Sequence, residues 1–128
     1  MIQKSNSVSY LKKIDLINLK KQLELIMEHE KFYCDEDLNL TKLSNALEIS
    51  THQLSEFLNE HYNKNFNNYI NGYRIRDAKI LLIEDPQRNT LSIAYMVGFN
   101  SYTAFFLAFK KDTGISPADY RRKKIKTN

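Results

Sequence analysis

Apolar positions recur every three or four residues along most of this chain, and no run of alternating β-branched residues interrupts them. That spacing predicts helices with one buried face rather than strands. From Leu11 to about Tyr33, the residues Leu16, Leu19, Leu23 and Ile26 form such a stripe, with Lys20, Lys21, Glu24 and Glu28 largely elsewhere. This predicts a long helix that packs on the next domain. A dimerisation helix is the other reading, but the heptads are too few for a coiled coil. CDEDLN is a polar break. Asn39 then caps a short helix, LTKLSNALE, with Leu40, Leu43 and Leu47 as its core face. Ile49 sits in a turn. Ser50 caps THQLSEFLNEHY, and Gln53 stands three residues on, as a capping box requires. Leu54, Phe57 and Leu58 point inward.

The same design returns downstream. Thr90 is placed to cap a helix with Leu91, Ile93, Ala94 and Val97 as its apolar face, and Gly98 supplies the positive φ that stops it. Asn100 is placed to cap the next helix, in which Phe105 and Phe109 face one way. Gly114 ends it. Ser116-Pro117 opens a further helix, with Asp119 placed to close a capping box. The two halves match at an offset of 50, pairing Leu43 with Ile93, Ser44 with Ala94, Leu47 with Val97 and Ile49 with Phe99. Past the turn the offset is 51, pairing Leu54 with Phe105 and Leu58 with Phe109. Two short helices joined by a tight turn form a helix-turn-helix, the unit that lays its second helix in the DNA major groove. This chain carries it twice.

Between the repeats, NFNNYINGYRIRDAKILLIED reads as one long helix capped by Asn65. Its stripe is Phe66, Tyr69, Ile70, Tyr73, Ala78, Leu81 and Leu82, with Gly72 tolerated and Pro86 beyond the end. At 1.5 Å per residue, about 18 residues span roughly 27 Å, against about 34 Å for a DNA turn. A connector of that length suits two recognition helices in successive major grooves. The expected fold is all-α, with about seven helices. The expected organisation is a mobile segment over 1–10 and one domain over 11–128. Within it lie a first helix-turn-helix at about 39–62, a linker helix at about 66–84, a second helix-turn-helix at about 90–112 and a C-terminal helix at about 117–124.

Composition narrows the function. The chain has 128 residues and a net charge of +4, unevenly distributed. Residues 34–72 carry two basic and six acidic groups, whereas residues 110–128 carry seven basic and two acidic. A basic end beside a helix-turn-helix suits phosphate, although basic ends also serve solubility. No apolar run approaches the roughly 18 residues of a membrane span, so no membrane contact is expected. The N-terminus lacks a signal peptide's apolar stretch, and Cys34 is the only cysteine, which together point to the cytoplasm. His29, His52 and His61 lack metal-ligand spacing, and no nucleotide-binding or nucleophile motif occurs. No catalytic residue, metal or cofactor is expected, and the chain is not read as an enzyme.

Three stretches carry a family likeness: LTKLSNALEISTHQLSEFLNE, NFNNYINGYRIRDAKILL and IAYMVGFNSYTAFFLAFKKDTGISPADYRR. Over about residues 38–122 the chain resembles the C-terminal DNA-binding domain of AraC/XylS-type transcription regulators. The combination of YIN-x-x-R-x-x-x-AK-x-LL, GFNS and FKK-x-TG-x-SP-x-x-YR is highly specific. The resemblance implies homeodomain-like three-helix units in two helix-turn-helix subdomains, a linker helix and promoter binding. It also implies bacterial transcription control, usually activation through RNA polymerase. Family members normally carry a fused or separate sensory or dimerisation domain, and the helix at 11–33 resembles those in which such a module precedes this one.

Candidate contacts come from position on the helices. The first recognition helix, roughly 51–61, presents Thr51, His52, Ser55, Glu56 and Asn59. His52 and Ser55 suit base edges, and Glu56 can accept from cytosine N4. The alternative for Glu56 is a solvated residue repelled by phosphate. The second, roughly 101–111, presents Ser101, Tyr102, Thr103 and Phe106, with Tyr102 and Thr103 in the first turn, where base edges are met. Phe106 stands where the family generally has a polar residue. It packs on a thymine methyl, inside the domain, or against a partner. Leu107 stands where the family commonly has Arg, so one cationic contact is missing. Asn100, Ser101, Arg74, Arg76, Lys110, Lys111 and Arg121 are the expected phosphate contacts. The rival reading is a helical protein-interaction module with a degenerate DNA-binding face.

Overall fold

A computed structural model describes Leu11 and residues 14–127. The segment expected to be mobile, 1–10, lies outside the described residues. Seven α-helices and one 3-10 turn account for the regular structure, with no strand among the described residues. The helices are α1 (Leu16–Glu28), α2 (Leu40–Ala46), α3 (Thr51–Tyr62), α4 (Phe66–Glu84), α5 (Thr90–Met96), α6 (Tyr102–Thr113) and α7 (Pro117–Thr127), and the 3-10 turn is Phe32–Cys34. They divide into two compact units. One takes the described residues up to Lys31 and Leu38–Tyr69; the other takes Phe32–Asp37 and everything from Ile70 onward.

In the first unit, α1 is shorter than the periodicity predicts. Asp15 caps it by accepting from the Asn18 amide, and the helix ends at Glu28 with His29 as its C-cap. Lys31 then turns left-handed at φ 51°, so the pattern running on to Tyr33 is not helical. Leu19, Leu23, Ile26 and Met27 form the buried stripe. Asn39 caps α2 by accepting from Lys42 N at 2.8 Å. Ser50 and Gln53 make the full capping box of α3, each side chain accepting from the other's amide at 3.1 and 2.8 Å. Leu43, Leu54 and Leu58 have no exposed surface, and Phe57 is nearly as enclosed.

The second unit is built on a continuous core of Ile75, Ala78, Leu82, Ile93, Ala94, Val97, Phe99, Phe105 and Phe109. Its aromatic rings form a file, Phe99 to Phe105 to Phe109 to Tyr120, at 5.4, 5.6 and 5.3 Å between centroids. Two expected caps move by one residue. Asn89, not Thr90, caps α5 by accepting from Ser92 N at 2.8 Å. Ser101, not Asn100, caps α6 by accepting from Ala104 N at 3.1 Å. The repeat explains both: Asn89 is Asn39 displaced by 50, and Ser101 is Ser50 displaced by 51. Leu91 is exposed, because it lies roughly opposite Ile93 on a helix of only seven residues.

The turns show the repeat at atomic scale. Leu47 N donates to Leu43 O, and Val97 N to Ile93 O, both at 3.1 Å. Ile49 N donates to Ser44 O, and Phe99 N to Ala94 O, both at 3.0 Å. Ser44 and Ala94 are both buried, and the residue that reverses the chain is left-handed in each copy: Glu48 at φ 58° and Gly98 at φ 115°.

Candidate nucleic-acid interface

Each of the helices α3 and α6 starts on a serine cap, Ser50 accepting from Gln53 N and Ser101 from Ala104 N. On α3, Leu54, Phe57 and Leu58 fix the buried side. The opposite face then carries His52, Ser55, Glu56 and Asn59 at i, i+3, i+4 and i+7, a contiguous strip. His52 and Asn59 are exposed, while Ser55, Glu56 and Thr51 are half-buried. The Asn59 amide donates to Ser55 O at 3.1 Å, which holds it along the helix.

On α6 the buried side is Phe105 and Phe109. The outward strip is Thr103, Phe106, Leu107 and Lys110, with the same i, i+3, i+4, i+7 spacing. Through the offset of 51 these four are the counterparts of His52, Ser55, Glu56 and Asn59. Thr103 and Lys110 are exposed, Phe106 is half-buried, and Leu107 is 62% exposed. The Lys110 ammonium lies 6.0 Å from the centre of the Phe106 ring. Leu107 is absent from the contacts expected on sequence grounds. The signal that finds it is the repeat, which places it on Glu56.

Tyr102 is drawn inward. Its ring packs edge-on to Phe105 at 5.8 Å, and its hydroxyl lies 3.3 Å from Thr90 Oγ1. It therefore braces the start of α6 against the start of α5, and presents less of itself than Thr103 does. Asn100 is exposed beside the Ser101 cap, and Lys111 is exposed beside Lys110.

Three of the arginines expected on phosphate are engaged within the second unit. Arg74 Nε donates to Tyr33 O at 2.7 Å and its Nη2 to Asp35 O at 3.0 Å, with the guanidinium 5.5 Å from the Phe99 ring centre. Burial lowers its pKa, while Cys34 and Asp35 act to raise it. Arg121 Nε donates to Leu82 O at 2.8 Å and its Nη2 to Asp85 O at 3.1 Å, so it satisfies the C-terminal carbonyls of α4. Both side chains hold backbone carbonyls in this structure. Arg76 sits 4.8 Å over the Tyr73 ring and reaches the Tyr33 hydroxyl at 3.5 Å. Lys110 and Lys111 are exposed in the last turn of α6.

The comparisons agree with this architecture. A family model described as "Helix-turn-helix domain" matches residues 43–123. The chain is 29% identical over 97 residues to the transcriptional activator RhrA of Rhizobium meliloti, covering 75% of this chain and 31% of that one. The C-terminal domain of the two-component response regulator yesN from Fusobacterium nucleatum is 32% identical, with a TM-score of 0.73 over 81% of this chain and 98% of that one. The C-terminal domain of AraT, a response regulator from Geobacillus stearothermophilus, is 26% identical with a TM-score of 0.72, covering 88% of each. The chain belongs to the helix-turn-helix domain family, in its AraC-type branch of transcription-regulator DNA-binding domains. It spans between 13% and 50% of the length of the curated relatives it matches. No described helix is long and apolar enough to cross a membrane, and no described cluster of His, Cys, Asp or Glu could hold a metal ion.

Proposed function

We propose that this chain binds double-stranded DNA sequence-specifically, as the output module of a bacterial transcription regulator acting in the cytoplasm. The observation that carries this reading is the duplicated turn. Two copies of one hydrogen-bonding scheme, with closely matching bond lengths, each launch a capped helix whose uncovered strip has i, i+3, i+4, i+7 spacing. In this reading α3 and α6 both lie in the major groove of one duplex. Serine-capped helix starts and Lys110 and Lys111 meet phosphate, and the outward strips meet bases. Activation through RNA polymerase, and control by a fused or separate sensory or dimerisation domain, complete the assignment. The rival, a protein-interaction module with a degenerate DNA-binding face, draws on Glu56, Phe106 and the exposed Leu107.

The test is fluorescence anisotropy with mixed duplex DNA across a salt series. Each neutralised phosphate contributes about −0.9 to the slope of log affinity against log salt, so a slope of roughly −4 to −8 is expected. Negligible binding at low salt would remove the DNA-binding reading.

A further inference from the structure

The two recognition helices occupy equivalent positions of one repeat, yet their outward strips have opposite chemistry. On α3 the strip is His52, Ser55, Glu56 and Asn59, every member a hydrogen-bonding side chain. On α6 it is Thr103, Phe106, Leu107 and Lys110, with an apolar pair at the centre. The apolar pair is not absorbed by the core. Phe105 and Phe109 fill that role with no exposed surface, whereas Leu107 is 62% exposed. The Phe106 ring lies 6.3 Å from the Tyr102 ring and 6.0 Å from the Lys110 ammonium, which border it on the helix surface.

The edges of base pairs in the major groove offer one apolar group, the C5-methyl of thymine. The other groups that distinguish base pairs there are hydrogen-bond donors and acceptors, which a leucine or phenylalanine would desolvate without pairing. We propose that α6 selects thymine through its methyl group, with Phe106 and Leu107 as the contacting side chains, while α3 reads by hydrogen bonds. The proposal rests on the DNA-binding reading and adds the chemistry that the second half of the site recognises. A duplex is favoured over a protein as the occupant because cations border the patch: Lys110 lies within the strip and Lys111 directly beside it. Thr103, one turn earlier, can add its own methyl or its hydroxyl to the same base step.

The experiment uses the full chain and a randomised 30-base-pair duplex pool. The pool is put through rounds of selection for binding, and the recovered sequences are then made with either thymine or deoxyuridine, which lacks the methyl. The selected thymine duplexes are expected to bind more tightly by about fourfold per contacted methyl. Leu107→Ala, at a surface position that leaves the core intact, should bring the ratio of thymine to deoxyuridine affinity closer to one. Phe106→Ala should lose more of it, with folding checked by circular dichroism. Equal affinity of the wild type for both forms would overturn the proposal and leave DNA binding standing. Failure to bind any duplex would instead overturn the reading on which it rests. If Leu107→Ala changed self-association but not the thymine preference, the patch would be a protein contact and the proposal would fall.

Discussion

Glu48 and Gly98 solve one backbone problem with different residues, and the difference shows what each turn must accommodate. Both lie in the left-handed region, which costs a residue with a Cβ roughly 1 kcal/mol or more. Around Gly98 there is a second constraint. A Cβ there would lie 2.1 Å from Tyr33 O and 2.8 Å from Arg74 Nε. The carbonyl is backbone, and it is already held by Arg74 at 2.7 Å, so it cannot give way cheaply. Gly98→Ala is therefore expected to destabilise the second unit by more than about 2 kcal/mol, combining left-handed strain with steric overlap. Glu48→Gly should stabilise by roughly 0.5 kcal/mol, since relief of the left-handed penalty outweighs glycine's greater loss of entropy. Urea titrations of the two variants check both signs. An Ala at 98 that unfolds at the wild-type midpoint would mean the turn is not held against Tyr33.

The 3-10 turn Phe32–Cys34 shows how an element can be invisible in a sequence and still matter to a helix-turn-helix far along the chain. Its residues precede the first repeat, yet they belong to the second unit. Tyr33 is fully buried, stacks on Tyr73 at 5.4 Å and donates its hydroxyl proton to Asp77 at 2.5 Å. Burial raises its pKa far above the ordinary 10, and the Asp77 hydrogen bond and charge raise it further. Below pH 10 both folded and unfolded chains keep this proton. Above it the unfolded chain releases the proton while the native chain retains it, so stability falls as pH rises. Tyr33→Phe is expected to cost about 1 kcal/mol at pH 7 through the lost hydrogen bond. It should also flatten the decline between pH 10 and 11, seen as a smaller drop in Tm across that interval than in the wild type. The legibility of the elements obeys the same division between local and distant causes. Helix faces, the Ser50 capping box and the repeat are readable because their partners lie within a few residues or recur in register. The roles of Arg74 and Arg121 are not, because their acceptors lie 41, 39 and 36 residues away. The early end of α1 is hidden for a related reason: the periodicity continues, but Lys31 turns left-handed. Of the candidate site, the outward strip of α3 is legible whole. That of α6 lacks Leu107, which polarity alone assigns to no contact.

At the scale of the whole molecule, charge and structural commitment together decide which cations can act on DNA. Residues 34–72 carry an excess of four acidic groups, so the segment holding α2 and α3 brings little attraction to phosphate. The basic excess lies at 110–128, but it is not all available. Arg121 is bound to α4 carbonyls, and Arg122 pairs with Asp119. Farther from that end, Arg74 is bound to carbonyls and Lys79 pairs with Asp112 at 2.8 Å. Lys110, at the end of the reading strip, and Lys111, beside it, are exposed in the last turn of α6. Long-range attraction should therefore arise chiefly from the second unit. Lys110→Ala and Lys111→Ala are each expected to make the salt slope shallower by about 0.9, the share of one released counterion, with unchanged Tm. Arg121→Ala should do the reverse, lowering Tm because Leu82 and Asp85 carbonyls lose their donors, while the salt slope of the folded fraction stays at the wild-type value. Anisotropy titrations at four salt concentrations, paired with thermal melts of the same samples, separate the two classes. An Arg121 variant with a normal Tm and a shallower slope would show that its guanidinium leaves the carbonyls for phosphate when DNA binds.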